Sequence, residues 1–197
     1  MNREQLFNLA SDWFHQQGLK PFPFQTQTWT AFLQGKNGLL NAPTGSGKTY
    51  ALWLPIVLDY IKKNPDYKEK RTRGKAERSV AKPGLKAIWI TPLRALSVEI
   101  KQSAERVAND LGIQMTVGIR SGDTSASERA KQKGKMPDLL VTTPESLQLL
   151  LASKGYEKIF KDCSAIVIDE WHELLGTKRG VQTELALSRL KKKSLRI

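Results

Sequence analysis

An α/β fold, with a mostly parallel sheet covered by helices on both faces, is what this sequence predicts. Three observations carry the prediction. Short apolar runs that suit strands alternate along the chain with longer runs of helical character. One short run, Gly38-Leu39-Leu40-Asn41, opens through Ala42-Pro43-Thr44-Gly45-Ser46-Gly47-Lys48-Thr49 into an apolar helical stretch from Tyr50 to Tyr60. Another, Ser164-Ala165-Ile166-Val167-Ile168, is continuous as in a strand buried on both faces, and it delivers Asp169-Glu170-Trp171-His172 at its carboxyl end.

Met1 to Lys20 reads as an amphipathic helix with Leu6, Phe7, Ala10, Trp13 and Phe14 on one face. It lacks the basic start, apolar middle and small-residue cleavage site of a signal peptide. A second helix is expected from Thr26 to Leu33. Strands are expected at Leu39 to Asn41, Ala87 to Thr91, Met115 to Ile119, Leu139 to Thr142 and Ala165 to Ile168. Helices are expected between them at Lys48 to Ile61, Leu93 to Leu111, Ser125 to Lys133 and Pro144 to Leu150, with a last one from Val181 to Lys191. The reading is one domain over residues 1–197, with a helical lead over 1–34 and a basic loop over about 62–84.

Composition narrows the function classes. A chain of 197 residues that is 40% hydrophobic can bury a sizeable core. No run is long and apolar enough to span a bilayer. Cys163 is the only cysteine, so an intrachain disulfide is excluded, and its place beside a core strand suits a small buried residue. These points favour a cytoplasmic protein. The net charge of +13 suits a polyanionic partner. Between Lys62 and Lys82 nine basic residues face three acidic ones, in a stretch broken by Pro65 and Gly74. That stretch reads either as a solvated connection or as an accessory contact to nucleic-acid phosphates.

The glycine-rich segment carries the first chemistry. Glycines at 45 and 47 let backbone N–H groups turn inward around an anion, and a helix start adds partial positive charge. Lys48 can reach the β- and γ-phosphates of ATP, and the Thr49 hydroxyl can hold Mg²⁺. Thr44, Gly45, Ser46 and Gly47 complete the nucleotide-binding loop. The first position of the phosphate-loop pattern is Ala42 instead of glycine. Asp169 would hold Mg²⁺ through water, and Glu170 would orient and deprotonate an attacking water. In open α/β sheets ligands bind beyond the carboxyl ends of strands, which is where both acids sit.

Two further blocks open helices after strands: Thr91-Pro92-Leu93-Arg94 and Thr142-Thr143-Pro144-Glu145-Ser146. Ser121-Gly122-Asp123-Thr124 has the look of a third. Proline near the first helical turn costs no hydrogen bond, and the free N–H groups and hydroxyls suit phosphate oxygens. Ordinary helix capping explains the same residues singly. Three such blocks in a basic chain favour nucleic-acid contact through Thr91, Pro92, Arg94, Ser121, Gly122, Thr143 and Pro144.

The order Phe24-Gln25, Ala42 to Thr49, Thr91 to Leu96, Thr142 to Leu147 and Asp169 to His172 resembles the first motor domain of a superfamily 2 helicase. The wording from Asp169 through Gly176 to Gln182 is similar to the Lhr-type DExH helicases, and within them to the bacterial ligase-associated branch. This resemblance implies a RecA-like P-loop fold and ATP hydrolysis coupled to 3′-to-5′ movement on single-stranded DNA. It implies that Gln25 reads adenine, that His172 links the nucleotide site to the strand-binding side, and that Arg94 is the charged contact to the strand. It also implies a second motor domain bearing arginine fingers, and a DNA repair ligase or nuclease as a possible partner. Because such a second domain has no counterpart in these residues, the chain is expected to be a fragment that hydrolyses ATP slowly. An RNA helicase, a restriction-type translocase motor and a non-catalytic nucleotide or nucleic-acid docking module remain alternatives.

Overall fold

The computed structural model describes residues 1–43, 45–65 and 84–191. The chain divides into two compact units, one drawn from Met1–Ala81 and Ser103–Gln114, the other from Lys82–Gln102 and Met115–Ile197. No helix among the described residues is long and apolar enough to cross a membrane.

The first unit is helical. Helix α1 (Arg3–Gln16) starts with a capping box in which the Asn2 side chain accepts from the Gln5 N–H and Gln5 accepts from the Asn2 N–H. The predicted apolar face is buried at Leu6, Ala10, Trp13 and Phe14. Helix α2 (Pro23–Leu33) begins earlier than the sequence suggested, because Pro23 with its preset φ occupies the first helical turn. Helix α3 (Lys48–Lys63) buries Ala51, Trp53, Leu54, Ile56, Val57, Leu58 and Ile61. Aromatic rings knit the three together: Phe14 lies 5.7 Å from Trp29, and Trp13 lies 5.0 Å from Tyr50. The indole N–H groups of Trp13 and Trp53 donate to Asp110 Oδ2 at 3.0 Å and to the Ala104 carbonyl at 3.2 Å.

One predicted strand is absent. Residues 36–43 form no regular structure, and Leu39 is 75% exposed. Two leucines between Gly38 and Asn41 carry little intrinsic strand preference, so only pairing and burial could have made them a strand. Here Leu39 gains neither.

The second unit is a four-stranded parallel sheet of order β2-β3-β1-β4. Its strands are β1 (Ala87–Ile90), β2 (Val117–Arg120), β3 (Leu139–Thr142) and β4 (Ala165–Ile168). Parallel pairing demands crossovers, supplied by α4 (Arg94–Asp110), α5 (Ala126–Gly134), and α6 (Pro144–Leu151) with the short α7 (Tyr156–Ile159). A 3₁₀ turn (Trp171–Leu174) and α8 (Lys178–Lys191) come after β4. Strands β1 and β3 are buried along their whole length, as their continuous apolar sequence requires. Leu85, Ile88, Ile90, Leu140, Leu147, Leu150, Phe160 and Ile166 form a core that Ala186 and Leu190 of α8 complete.

Strand register determines where the loops emerge. Ile90 pairs with both Thr142 and Ile168, and Thr142 pairs with Arg120. All four strands therefore finish level. The segments beginning at Ser121, Thr143, Thr91 and Asp169 leave one sheet edge side by side, in that spatial order.

Candidate nucleotide loop and sheet-edge loops

The glycine-rich loop belongs to the first unit. Gly45 and Gly47 have φ of +77° and +85°, backbone that side chains with a Cβ rarely adopt. Gly47 is the residue from which α3 starts, so Lys48 and Thr49 fill its first turn, where the leading N–H groups have no partner within the helix. Both side chains are partly exposed. The Ser46 hydroxyl donates to the Pro43 carbonyl at 2.6 Å and fixes the turn before them. Thr44 lies outside the described residues.

Gln25 is 1% exposed and braces this loop. Its Oε1 accepts from the Phe22 N–H at 2.8 Å, and its Nε2 donates to the Gly47 carbonyl at 3.1 Å. One N–H and one lone pair of the amide are left over from these bonds. A Cβ on Gly47 would sit 2.8 Å from Gln25 Nε2, so glycine is needed there for close approach as well as for φ. Phe22 and Phe24 stack with centroids 5.9 Å apart, and Phe22 is exposed.

Asp169 and Glu170 come directly after β4 in the second unit. The Asp169 N–H donates to the Ile90 carbonyl at 2.8 Å, continuing the ladder one step past the strand. Its side chain is held on both oxygens: Oδ1 accepts from the Glu170 N–H at 3.0 Å, and Oδ2 accepts from the Trp89 indole at 3.3 Å. Glu170 has φ of +46°, the one positive φ outside glycine among the described residues. Such backbone in a glutamate is strained, and strain of this kind concentrates at functional sites. His172 lies between two carboxylates, with Nδ1 3.5 Å from Glu170 Oε2 and Nε2 3.4 Å from Glu173 Oε1.

The other sheet-edge loops are built inward. Thr91 is fully buried and its Oγ accepts from the Leu93 N–H at 3.3 Å. Thr143 is buried as the N-cap of α6, accepting from the Ser146 N–H at 3.4 Å. Pro92, Pro144 and Ser121 are buried too. Arg94 and Gly122 are the expected contacts that remain exposed. Arg94 Nη1 reaches both carboxylate oxygens of Asp123, at 2.9 and 2.8 Å.

Sequence reasoning missed the residues that brace these loops. Arg179 donates from Nε to Glu145 at 2.6 Å and from Nη1 to the Pro92 carbonyl at 3.3 Å, tying two blocks together. Burial alone would raise the Glu145 pKa, but hydrogen bonds from its own backbone, Arg179 and Thr143 outweigh it and hold the carboxyl below its ordinary value. Arg129 Nη2 donates to the carbonyls of Ser121 and Gly122, both at 3.0 Å. Trp89 steadies Asp169 across the β1–β4 pair. Arg179 and Trp89 carry no sequence signal, since each acts through a partner distant in the chain, and Arg129 acts through nearby backbone carbonyls that no side-chain motif marks. The basic stretch keeps only Lys62, Lys63, Asn64 and Pro65 within the described residues; from residue 66 to 83 it lies outside them.

A family model described as DEAD/DEAH box helicase matches residues 22–197. The Lhr helicase/uracil glycosylase of Escherichia coli strain K12 is 35% identical over 181 residues, covering 91% of this chain. The ATP-dependent helicase Lhr-Core of Saccharolobus solfataricus is 33% identical over 187 residues, covering 90% of this chain and 20% of that protein. The chain spans 12% of the length of the first curated relatives. Among solved structures, the Mycobacterium smegmatis helicase Lhr bound to ssDNA and AMP-PNP matches with a TM-score of 0.73 at 33% identity, covering 93% of this chain and 22% of that one. The DUF1998 helicase MrfA bound to DNA and AMPPNP matches with a TM-score of 0.74 at 21% identity over 98% of this chain and 25% of its own, a likeness of fold.

Proposed function

Because the chain belongs to the DEAD/DEAH box helicase family, we propose that it is the ATP-binding motor unit of an Lhr-type DNA helicase that moves 3′ to 5′ on single-stranded DNA. The observation that carries the reading is the level finish of the four parallel strands, which sets an acid pair and three phosphate-competent loops on one sheet edge. The DNA preference is supported by the likeness to the M. smegmatis Lhr structure, which holds single-stranded DNA. Polarity rests on the motif resemblance.

The residues present suit ATP with Mg²⁺. Gly45 and Gly47 give the loop the positive φ that inward-facing amides require, and the start of α3 adds its leading N–H groups. Thr49 and Asp169 offer a hydroxyl and a carboxylate, the hard oxygen donors that Mg²⁺ takes one or two of alongside water and phosphate. Both Asp169 oxygens are aimed by N–H donors, and a carboxylate oxygen can accept more than one partner. Bound Mg²⁺ would neutralise charge on the β- and γ-phosphate oxygens.

The roles of Lys48, Thr49, Asp169 and Glu170 follow from their chemistry, and those of Gln25, His172 and Arg94 from the motif resemblance. Lys48 binds the terminal phosphates. Gly45, Ser46 and Gly47, with Thr44, surround them with backbone N–H groups. Thr49 and Asp169 would each offer an oxygen to the metal. Glu170, fixed in strained backbone beside His172, takes the proton of the attacking water. His172, between Glu170 and Glu173, relays the state of that carboxylate toward the loops that grip the strand. Gln25 fixes Gly47 and offers its remaining N–H and lone pair to adenine. Arg94 and the Gly122 backbone contact phosphates, while Thr91, Pro92, Ser121, Thr143 and Pro144 shape the loops that present them. On the motif resemblance, a second motor domain would supply the arginine fingers, and a DNA repair ligase or nuclease is the partner it suggests.

The test titrates a fluorescent ATP analogue with and without Mg²⁺. Lys48→Ala should weaken binding about 10- to 100-fold, the worth of a charge-assisted phosphate contact. Thr49→Ala and Asp169→Ala should weaken only the Mg²⁺-dependent part. Equal affinity of Lys48→Ala and the parent protein would remove the assignment.

A further inference from the structure

Arg94 is an exposed cation at the sheet edge, and a carboxylate already occupies it. Its Nη1 meets Asp123 Oδ1 at 2.9 Å and Oδ2 at 2.8 Å. Both side chains are open to solvent, 55% exposed for Arg94 and 72% for Asp123, so a strand can reach the pair.

The place of Asp123 is built, not incidental. Arg129 holds the carbonyls of Ser121 and Gly122 from one side of the loop. The Ser121 N–H donates to Thr124 Oγ1 at 2.8 Å, and the Asp123 N–H donates to Ser121 Oγ at 3.3 Å. Gly122 lets the loop close on the guanidinium, since a Cβ there would stand 2.8 Å from Arg94 Nη2. Four neighbouring residues thus combine to present one carboxylate to one guanidinium. They do so in a chain whose net charge of +13 otherwise favours a polyanion.

We infer that Asp123 is an internal stand-in for nucleic-acid phosphate. A strand binds at this edge by exchanging carboxylate for phosphate at Arg94 Nη1, and Asp123 sets how tightly and how salt-sensitively the strand is held. The inference rests on Arg94 being a phosphate contact and adds a residue that opposes it. The physical basis is competition: a carboxylate and a phosphate diester ask for the same N–H groups, and the two anions repel when close. The paired guanidinium contributes no counterion release until Asp123 lets go.

The test uses a fluorescein-labelled oligothymidylate across a salt series, with four proteins: the parent, Arg94→Ala, Asp123→Asn and the double variant. Asp123→Asn should tighten binding about two- to fivefold, the range of an exposed ion pair. It should also steepen the salt dependence by about 0.7 in log–log slope, the value of one added single-strand phosphate contact. In the Arg94→Ala background the same change should do much less. Unchanged or weaker binding by Asp123→Asn would overturn the inference, because the carboxylate would then be idle or would be positioning Arg94. Equal tightening in both backgrounds would overturn it too, as general repulsion alone. Full affinity in Arg94→Ala would remove Arg94 as a phosphate contact and the inference with it. That pattern is distinct from a weakened Arg94→Ala paired with an inert Asp123→Asn, which sinks the inference alone.

Discussion

On the proposed function, the glycine-rich loop and the sheet-edge loops would meet the same problem, gripping phosphate, by opposite means. In the first, the groups proposed to face the ligand are the motif residues themselves. Gly45 and Gly47 adopt positive φ, and Lys48 and Thr49 sit partly exposed on the first turn of α3. In the second, most motif residues turn inward. Thr91, Pro92, Thr143 and Pro144 are buried caps and turns, and exposure falls to Arg94, Gly122 and Asp123. A motif can therefore mark the atoms that touch a ligand or the scaffold that holds other atoms in reach. Only packing tells the two apart.

The sharpest break between the regions is catalytic. Glu170→Gln should leave nucleotide affinity nearly intact and lower turnover about 10²- to 10⁴-fold, the usual worth of a general base. The measurement is DNA-stimulated phosphate release by a protein that carries both motor domains, beside nucleotide titration of the same variant. Retained turnover would show Glu170 to be an orienting residue only.

Gln25 separates a brace from a reader. If its work is to hold Gly47, Gln25→Ala should weaken ATP and GTP analogues alike, by about fivefold for one lost buried hydrogen bond. If the spare N–H and lone pair read the base, the ATP analogue should suffer alone. Competition titration with both nucleotides decides.

Two glycine substitutions sharpen the comparison further. Gly47→Ala should cost about 1–2 kcal/mol of stability, because alanine dislikes a φ of +85° and its Cβ would strike the buried Gln25 amide. Gly122→Ala meets only the tip of a flexible arginine. Its stability should change by less than about 0.5 kcal/mol. Urea unfolding of both variants checks this. Equal losses would mean that the sheet-edge loop is as rigidly packed as the nucleotide loop.

β1, β3 and β4 were legible as largely apolar runs, and the acids at the end of β4 were legible because chain order places them there. The helix of Met1 to Lys20 declared itself by a one-faced stripe that the structure buries. Leu39 to Asn41 misled because an apolar pair beside glycine looks the same whether or not a neighbour pairs it. Arg179 and Trp89 were illegible for a different reason. Arg179 bonds residues 34 and 87 positions away, and Trp89 meets a carboxylate 80 positions on, so their partners exist only after folding. Asp123 looks in the sequence like one more polar loop residue, since nothing local marks it as the partner of Arg94.

The last effect lies in the core, far in kind from either loop. Cys163 is 6% exposed, and burial pushes its thiol up to about 12. The folded state thus keeps a proton that the unfolded chain sheds near the ordinary thiol value of about 8.5. Stability from this group is complete below that pH and is lost as pH rises toward 12. The loss is at most about 1.4 kcal/mol per pH unit. Lysines and tyrosines titrate in the same range, so the readout is the difference between the parent protein and Cys163→Ala. The stability advantage of the parent should shrink between about pH 8.5 and 10 in urea titrations. In parallel, a thiol reagent at neutral pH should modify Cys163 only after unfolding, because reaction needs an exposed thiolate. Rapid labelling of the native protein, or a pH-independent difference, would place the thiol in contact with solvent.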